Sequence, residues 1–115
     1  MTPEKIIEVV CDRLQVSRDE ISYRNRRREI VEARQYCFFL IHATEPITYR
    51  EIGKLFNLDH ATVMFGIKSL QNRIDTEPKV SKSVYELLKI IEDYNDNHKV
   101  IKSEPMYQEN DWYQT

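Results

Sequence analysis

The sequence has 115 residues, 41% of them apolar and 31% charged, which suffices for one compact domain and excludes a large multidomain enzyme. Only two glycines and four prolines occur, too few for the frequent tight turns of an all-β domain, so a helical fold is favoured. The net charge is −2, yet residues 23 to 74 carry nine basic and five acidic side chains, a pattern typical of a polyanion-binding face, although charge runs are more often simply solvated.

The first predicted helix begins at Pro3, a residue suited to the first helical position, with Thr2 as its N-cap. Apolar residues then recur at helical spacing as far as Leu14. The segment Ser17-Arg18-Asp19-Glu20 fits a capping box, which predicts a short helical turn ending near Ser22.

A basic loop and a long helix are predicted next. Residues 23 to 28 lack apolar periodicity and contain four arginines, so we expect an exposed loop. A helix follows from about Glu29 to Ala43, and Glu45-Pro46 ends it because the residue before a proline disfavours helix. Its predicted core residues are Ile30, Ala33, Cys37, Leu40 and Ile41. Cys37 and Cys11 both lie among apolar residues, which predicts reduced core thiols.

Residues 48 to 74 predict two helices joined by a short turn. A capping box at residues 48 to 51 starts the first helix, Asn57-Leu58 breaks it, and Asp59 caps a second, longer helix. Gly53 inside the first helix costs about 1 kcal/mol relative to alanine. Close approach of the second helix, as in a helix-turn-helix, accounts for a glycine at that position.

The remaining chain predicts a linker, a last helix and a tail. Residues 76 to 79 are predicted to form a polar, proline-containing linker, and the last helix is expected to start at Ser81. Residues 1 to 97 are therefore predicted to form the domain, and residues 98 to 115 a disordered tail. Histidines and cysteines show no metal-ligand spacing, so neither a metal nor a cofactor is predicted. Signal-peptide and membrane-spanning patterns are absent, which predicts a cytoplasmic protein.

The second helix of a helix-turn-helix enters the DNA major groove, with its N-terminal residues at the base edges. Those residues are Asp59, His60, Ala61 and Thr62. Aspartate accepts from the cytosine amino group, alanine and threonine contact the thymine methyl group, and histidine donates to a base or a phosphate. The same residues also fit a protein that binds no DNA, since Asp59 is needed as a cap, His60 could be a solvated surface residue, and similar hairpins are common in helical proteins.

Three segments, in this order, resemble the C-terminal DNA-binding domain of the bacterial replication initiator DnaA. They are Arg34-Gln35, Tyr49-Arg50-Glu51-Ile52-Gly53-Lys54-Leu55-Phe56 and Asp59-His60-Ala61-Thr62-Val63. The resemblance extends from about Pro3 to Tyr94. It implies an all-α, Trp-repressor-like helix-turn-helix bundle of about five helices that binds double-stranded DNA. The family usually has two glycines and an arginine before Asp-His, where this chain has only Asn57-Leu58.

The resemblance also implies specific contacts. The recognition helix would read the major groove through residues 59 to 62, and an arginine of the basic loop would enter the neighbouring minor groove. The implied minor-groove candidates are Arg26, Arg27 and Arg28. The implied phosphate contacts are Arg34, Thr48, Arg50, Lys54 and Lys68.

The predicted function is sequence-specific binding of double-stranded DNA in the nucleoid, without catalysis, regulating replication initiation or transcription. The G-x-x-x-x-G-K-[ST] signature of an ATPase does not occur, so we expect no nucleotide binding by that route and a DnaA-like domain that stands alone. The alternative is an adaptor that retains the fold but binds an initiator or helicase partner through its acidic last helix and tail.

Overall fold

A computed structural model describes residues 1–22 and 26–97 of the chain. The described residues form six helices: α1 Pro3–Leu14, α2 Arg18–Ser22, α3 Arg28–Thr44, α4 Tyr49–Phe56, α5 His60–Thr76 and α6 Pro78–Asn97. They contain no strand, which confirms the predicted all-α fold. The predicted tail, residues 98–115, and the first half of the predicted basic loop, residues 23–25, lie outside the described residues.

The central element is α3, which packs against all five other helices. Its five predicted core residues are each buried, and so are both cysteine thiols of the chain. Tyr36 and Phe38 are buried as well, and the Phe38 ring meets that of Phe56 edge to face with centroids 5.1 Å apart. A helix enclosed on several sides buries more than one stripe, so these two aromatic residues did not stand out in a single periodic pattern.

Local capping fixes where the helices begin. The Lys5 amide donates to the Thr2 hydroxyl at 3.2 Å, as the predicted N-cap requires. In the predicted capping box before α2, the amide of residue 20 donates to the Ser17 hydroxyl at 3.0 Å and the Ser17 amide donates to Glu20 at 3.0 Å. The equivalent pair before α4 is Thr48 with Glu51. All three predicted starts are thereby confirmed, because each is decided by residues close in sequence.

Two boundaries differ from the prediction. The turn after residue 17 is a separate short helix, because Ile21 is fully buried and holds it against the bundle, so there are six helices rather than about five among the described residues. The predicted linker at residues 76 to 79 is wrong, since α5 continues to Thr76 and α6 begins at Pro78. Proline fits the first helical position because it has no amide hydrogen, and the amide there would lack a helical acceptor anyway.

Among the described residues, no helix combines the length and the apolar character that crossing a bilayer requires.

Candidate nucleic-acid interface

The turn between α4 and α5 is built by hydrogen bonds of its own backbone. Asn57 adopts the left-handed conformation, with φ of 58°, and the Leu58 amide donates to the Gly53 carbonyl at 2.9 Å. The Asn57 amide donates more weakly to the Lys54 carbonyl at 3.4 Å. This pattern ends the helix as a Schellman motif, and asparagine tolerates the left-handed conformation better than most residues other than glycine.

Gly53 is required by the closeness of that turn. A Cβ atom at this position would lie 2.4 Å from the Leu58 carbonyl oxygen and 3.4 Å from the carbonyl carbon of Asp59. The predicted close approach is confirmed, and the approaching group is the backbone of the turn just before α5. Absence of a side chain at residue 53 therefore sets how tightly the two helices of the hairpin meet.

Asp59 caps α5 as predicted. Its carboxylate accepts from the Thr62 amide at 2.8 Å and from the Thr62 hydroxyl at 2.7 Å. These bonds, the backbone one first, lower the pKa of Asp59 below its ordinary value. The two side chains are therefore held to each other at the start of the helix, which keeps the carboxylate ionised and fixes its direction.

The four predicted reading residues lie together at the N-terminal end of α5. Asp59, His60 and Thr62 are exposed, and Ala61 is half-buried. Within the described residues, His60 has no hydrogen-bond or ion-pair partner. Three of the four side chains at the start of α5 are thus accessible to a ligand, with the positive end of the helix dipole among them.

The described part of the basic loop consists of Arg26, Arg27 and Arg28, all exposed. Arg27 is extended and is the N-cap residue of α3, and its guanidinium lies 2.6 Å from the Glu20 carboxylate and 3.8 Å from that of Glu29. Among the residues that the structure describes, neither Arg26 nor Arg28 forms an ion pair. The same carboxylate that completes the α2 capping box thus anchors the middle arginine.

Arg34 has a structural bond that the sequence did not reveal. Its Nε donates to the Ile21 carbonyl at 3.0 Å, which satisfies an acceptor in the last turn of α2. Arg34 also lines a shallow groove between α3 and α5. It therefore ties α2 to the central helix at the edge of this groove.

The other predicted phosphate contacts are exposed. Arg50 and Lys54 lie one turn apart on α4, Lys68 lies on α5, and in the described part of the chain none of the three is ion-paired. Thr48 differs, because its hydroxyl accepts from the Glu51 amide and bonds the Glu51 carboxylate. Its hydroxyl is thus used by the capping box.

Because α3 and α5 run in opposite directions, the two predicted contact regions lie toward opposite ends of this helix pair. Glu32 pairs with Arg73 at 2.6 Å, whereas Phe38 lies against Gly66, so the two helices cross in opposite directions. The start of α3, with its arginines, is therefore near the second half of α5. The rise from His60 to Arg73 along α5 is about 20 Å at 1.5 Å per residue.

One exposed side chain in this region was not predicted as a site residue. Phe65 on α5 is 66% exposed and lines the groove with Thr62 and Arg34. Its signal in the sequence was weak: it is an aromatic residue that falls outside the Val63 and Ile67 stripe.

A family model described as "Bacterial dnaA protein helix-turn-helix" matches residues 3–70, more than half of the chain. The match covers α1 through most of α5, including the whole hairpin. The chain belongs to the bacterial DnaA helix-turn-helix family.

Several curated DnaA proteins align with the chain. The "Chromosomal replication initiator protein DnaA" of Oleidesulfovibrio alaskensis is 32% identical over 89 residues, 77% of this chain and 19% of that protein. The protein of the same name from Gloeobacter violaceus is 34% identical over 88 residues, 76% of this chain and 20% of its own length. "Chromosomal replication initiator protein DnaA 1" of Chlamydia trachomatis is 32% identical over 92 residues, 77% of this chain and 20% of that protein. The chain thus spans about a fifth of the length of these DnaA relatives.

Proposed function

We propose that this DnaA-family chain binds double-stranded DNA, with the first turn of α5 in the major groove and the arginines before α3 in the adjacent minor groove. The observation that carries the proposal is the exposed, capped start of α5 at one end of the helix pair and the exposed arginines at the other. Between them, the groove of α3 and α5 is lined by Thr62 from the first region and by Arg34 of α3.

The spacing of the two regions supports this arrangement. Along B-form DNA the helical repeat is about 34 Å, so a major groove and the next minor groove are centred about 17 Å apart. The rise of about 20 Å from His60 to Arg73, which pairs with Glu32 of α3, is of the same order as this separation. On this basis the domain would reach both grooves from one side of the duplex.

Arg26 and Arg28 are the favoured minor-groove residues. Arg27 is held by Glu20 and Glu29, which neutralise much of its charge. Arg26 and Arg28 are exposed and, in the described part of the chain, have no carboxylate partner. Arg50, Lys54 and Lys68 supply phosphate contacts, and most of the affinity comes from such charges.

The biological role we propose is control of replication initiation or transcription, by occupying a DNA site or recruiting a replication protein to it. The family and the names of the relatives support this role. The chain acts in the nucleoid without catalysis and without binding a nucleotide.

The salt dependence of DNA binding tests the basic segment. Each neutralised phosphate contributes a slope of about −0.9 to a plot of log binding constant against log salt concentration. In the double variant Arg26→Ala, Arg28→Ala, the slope should become less steep by about 2, measured by fluorescence anisotropy with a labelled duplex.

Two single variants serve as comparisons. Arg27→Ala should change the slope little, because its charge is already paired with carboxylates. Lys89→Ala removes an exposed cation of α6 that pairs with Asp93, and it should leave binding unchanged. If the double variant bound DNA with the unaltered slope, the role of this segment would be refuted.

A further inference from the structure

Phe65 is the most exposed of the large apolar side chains in the described part of the chain. It lies on α5 between the buried residues Val63 and Gly66, but it points away from the core that they form. Burial of this ring inside the monomer therefore contributes little to folding. A single exposed apolar side chain is ordinary, but Phe65 is not isolated, because the exposed Val31 lines the same groove.

The ring belongs to a built surface. It lines the groove between α3 and α5 together with Val31, Arg34 and Thr62. The floor of the groove is formed where the Phe38 ring lies against Gly66, so close that a Cβ there would be 2.8 Å from it. Phe65 thus lies beside a tightly packed contact between the two helices.

The helical register aligns Phe65 with the reading residues. It follows Ala61 by four positions and Thr62 by three, and residues at these spacings lie on one face of a helix. One turn of helix rises about 5.4 Å. With the first turn of α5 in the major groove, the ring reaches bases about one to two base pairs farther along.

We propose that Phe65 is a specificity-determining residue that contacts the C5-methyl group of a thymine in the major groove. This inference rests on the proposed DNA binding and deepens it. The thymine methyl is an apolar group exposed on the major-groove edge of a base pair, and phenylalanine is among the side chains that contact it. Ala61 and Thr62 lie on the same face of α5 and carry further methyl groups. We therefore expect this face of the helix to favour DNA sequences that contain several thymines.

Deletion of the thymine methyl group alone tests the contact. A duplex is first recovered by selection from a random-sequence pool with the full chain, and each of its thymines is then replaced in turn by deoxyuridine. At the position that Phe65 contacts, the unchanged protein should bind the uracil duplex about three- to fivefold more weakly, the loss expected for one buried methyl group.

The variant Phe65→Ala should bind the thymine duplex more weakly and should show no further loss at that same position, because the two changes remove one contact. Phe65→Leu, which retains an apolar side chain, should recover part of the methyl preference. The matched control is Tyr85→Ala, which removes another exposed aromatic ring, on α6, and should keep the full methyl penalty.

Three outcomes separate the possibilities. A Phe65→Ala protein that keeps its helical circular dichroism and every methyl penalty would overturn the inference while leaving DNA binding in place. If Phe65→Ala instead abolished only self-association, measured by sedimentation, the ring would contact a second copy of the chain. That result would also overturn the inference. Failure of the unchanged chain to select any duplex would instead refute the proposed function itself.

Discussion

Asp59 shows how one side chain can be committed to folding within a surface proposed to read DNA. Both hydrogen bonds to its Oδ1 come from Thr62, so the two residues position each other at the start of α5. Their polar groups stabilise the helix start, whereas His60 and Phe65 are exposed and take no part in this cap. We infer that discrimination between bases comes mainly from these latter groups.

The lowered pKa of Asp59 makes the fold sensitive to acid. A carboxyl group whose pKa is depressed in the folded state stabilises that state above its unfolded pKa, near 3.9 in model peptides, and loses this contribution as pH falls through the folded value. Asp59→Asn keeps an acceptor for the cap but does not titrate, so its melting temperature should fall less steeply below about pH 4.

Thermal melts followed by circular dichroism measure this slope. The matched control is Asp75→Asn, which removes an exposed carboxylate of α5 that has no hydrogen-bond partner in the described part of the chain. It should change the slope less than Asp59→Asn does, because it removes no helix cap. An equal slope for Asp59→Asn and the unchanged protein would show that the cap contributes nothing through its charge.

The hairpin formed by α4 and α5 depends on Gly53. Alanine favours helix by about 1 kcal/mol over glycine, but here its Cβ would meet a backbone carbonyl at 2.4 Å. Moving that carbonyl disturbs the Leu58 to Gly53 hydrogen bond that closes the turn. We expect Gly53→Ala to lower the free energy of unfolding by about 1 to 3 kcal/mol, the usual cost of overpacking, in urea denaturation.

Gly66→Ala is the comparison, because the atom it would meet belongs to the Phe38 side chain rather than to the backbone. A ring can shift by a few tenths of an ångström more easily than a hydrogen-bonded turn, so this variant should lose less stability. Greater loss for Gly66→Ala than for Gly53→Ala would contradict this ranking. DNA affinity should fall with Gly53→Ala, since α4 and α5 would separate.

How far the sequence predicts these elements depends on the range of the interactions. The caps at Thr48 and Asp59 involve residues three positions apart, so their motifs predicted the helix starts correctly. The prediction of a linker around Pro78 was wrong, because a proline is equally compatible with ending one helix and starting another. The bonds from Arg27 to Glu20 and from Arg34 to the Ile21 carbonyl depend on how α2 packs on α3, and no local pattern indicates them.

On the scale of the whole molecule, charge is distributed unevenly. The described basic side chains that lack a carboxylate partner include five from the basic middle of the sequence and three from outside it, whereas Arg13 of α1 is paired with Glu86 of α6. The five are Arg26, Arg28, Arg50, Lys54 and Lys68, and the three are Arg18, Lys79 and Lys82. Five cations of the middle segment are thus available to another ligand. This arrangement favours a polyanion over an acidic protein surface of small extent.

Deletion of residues 98–115 tests whether the folded domain suffices for DNA binding. All six helices end at or before Asn97, so the shortened chain retains the bundle and the candidate interface. Its affinity for a selected duplex should match that of the full chain within about twofold, a difference of about 0.4 kcal/mol. Loss of binding to a replication protein in a pull-down, with no DNA binding by either chain, would instead favour the adaptor hypothesis.

Residues in the first two turns of α5 differ in how much the fold depends on them. Asp59 and Thr62 cap the helix, whereas Phe65 is exposed and His60 has no hydrogen-bond partner among the described residues. Substitutions at His60 and Phe65 should therefore leave the domain folded. Target preference can then drift between lineages at little thermodynamic cost. A combinatorial library randomised at these two positions would consist mostly of folded members, and new operators could be sought among them directly.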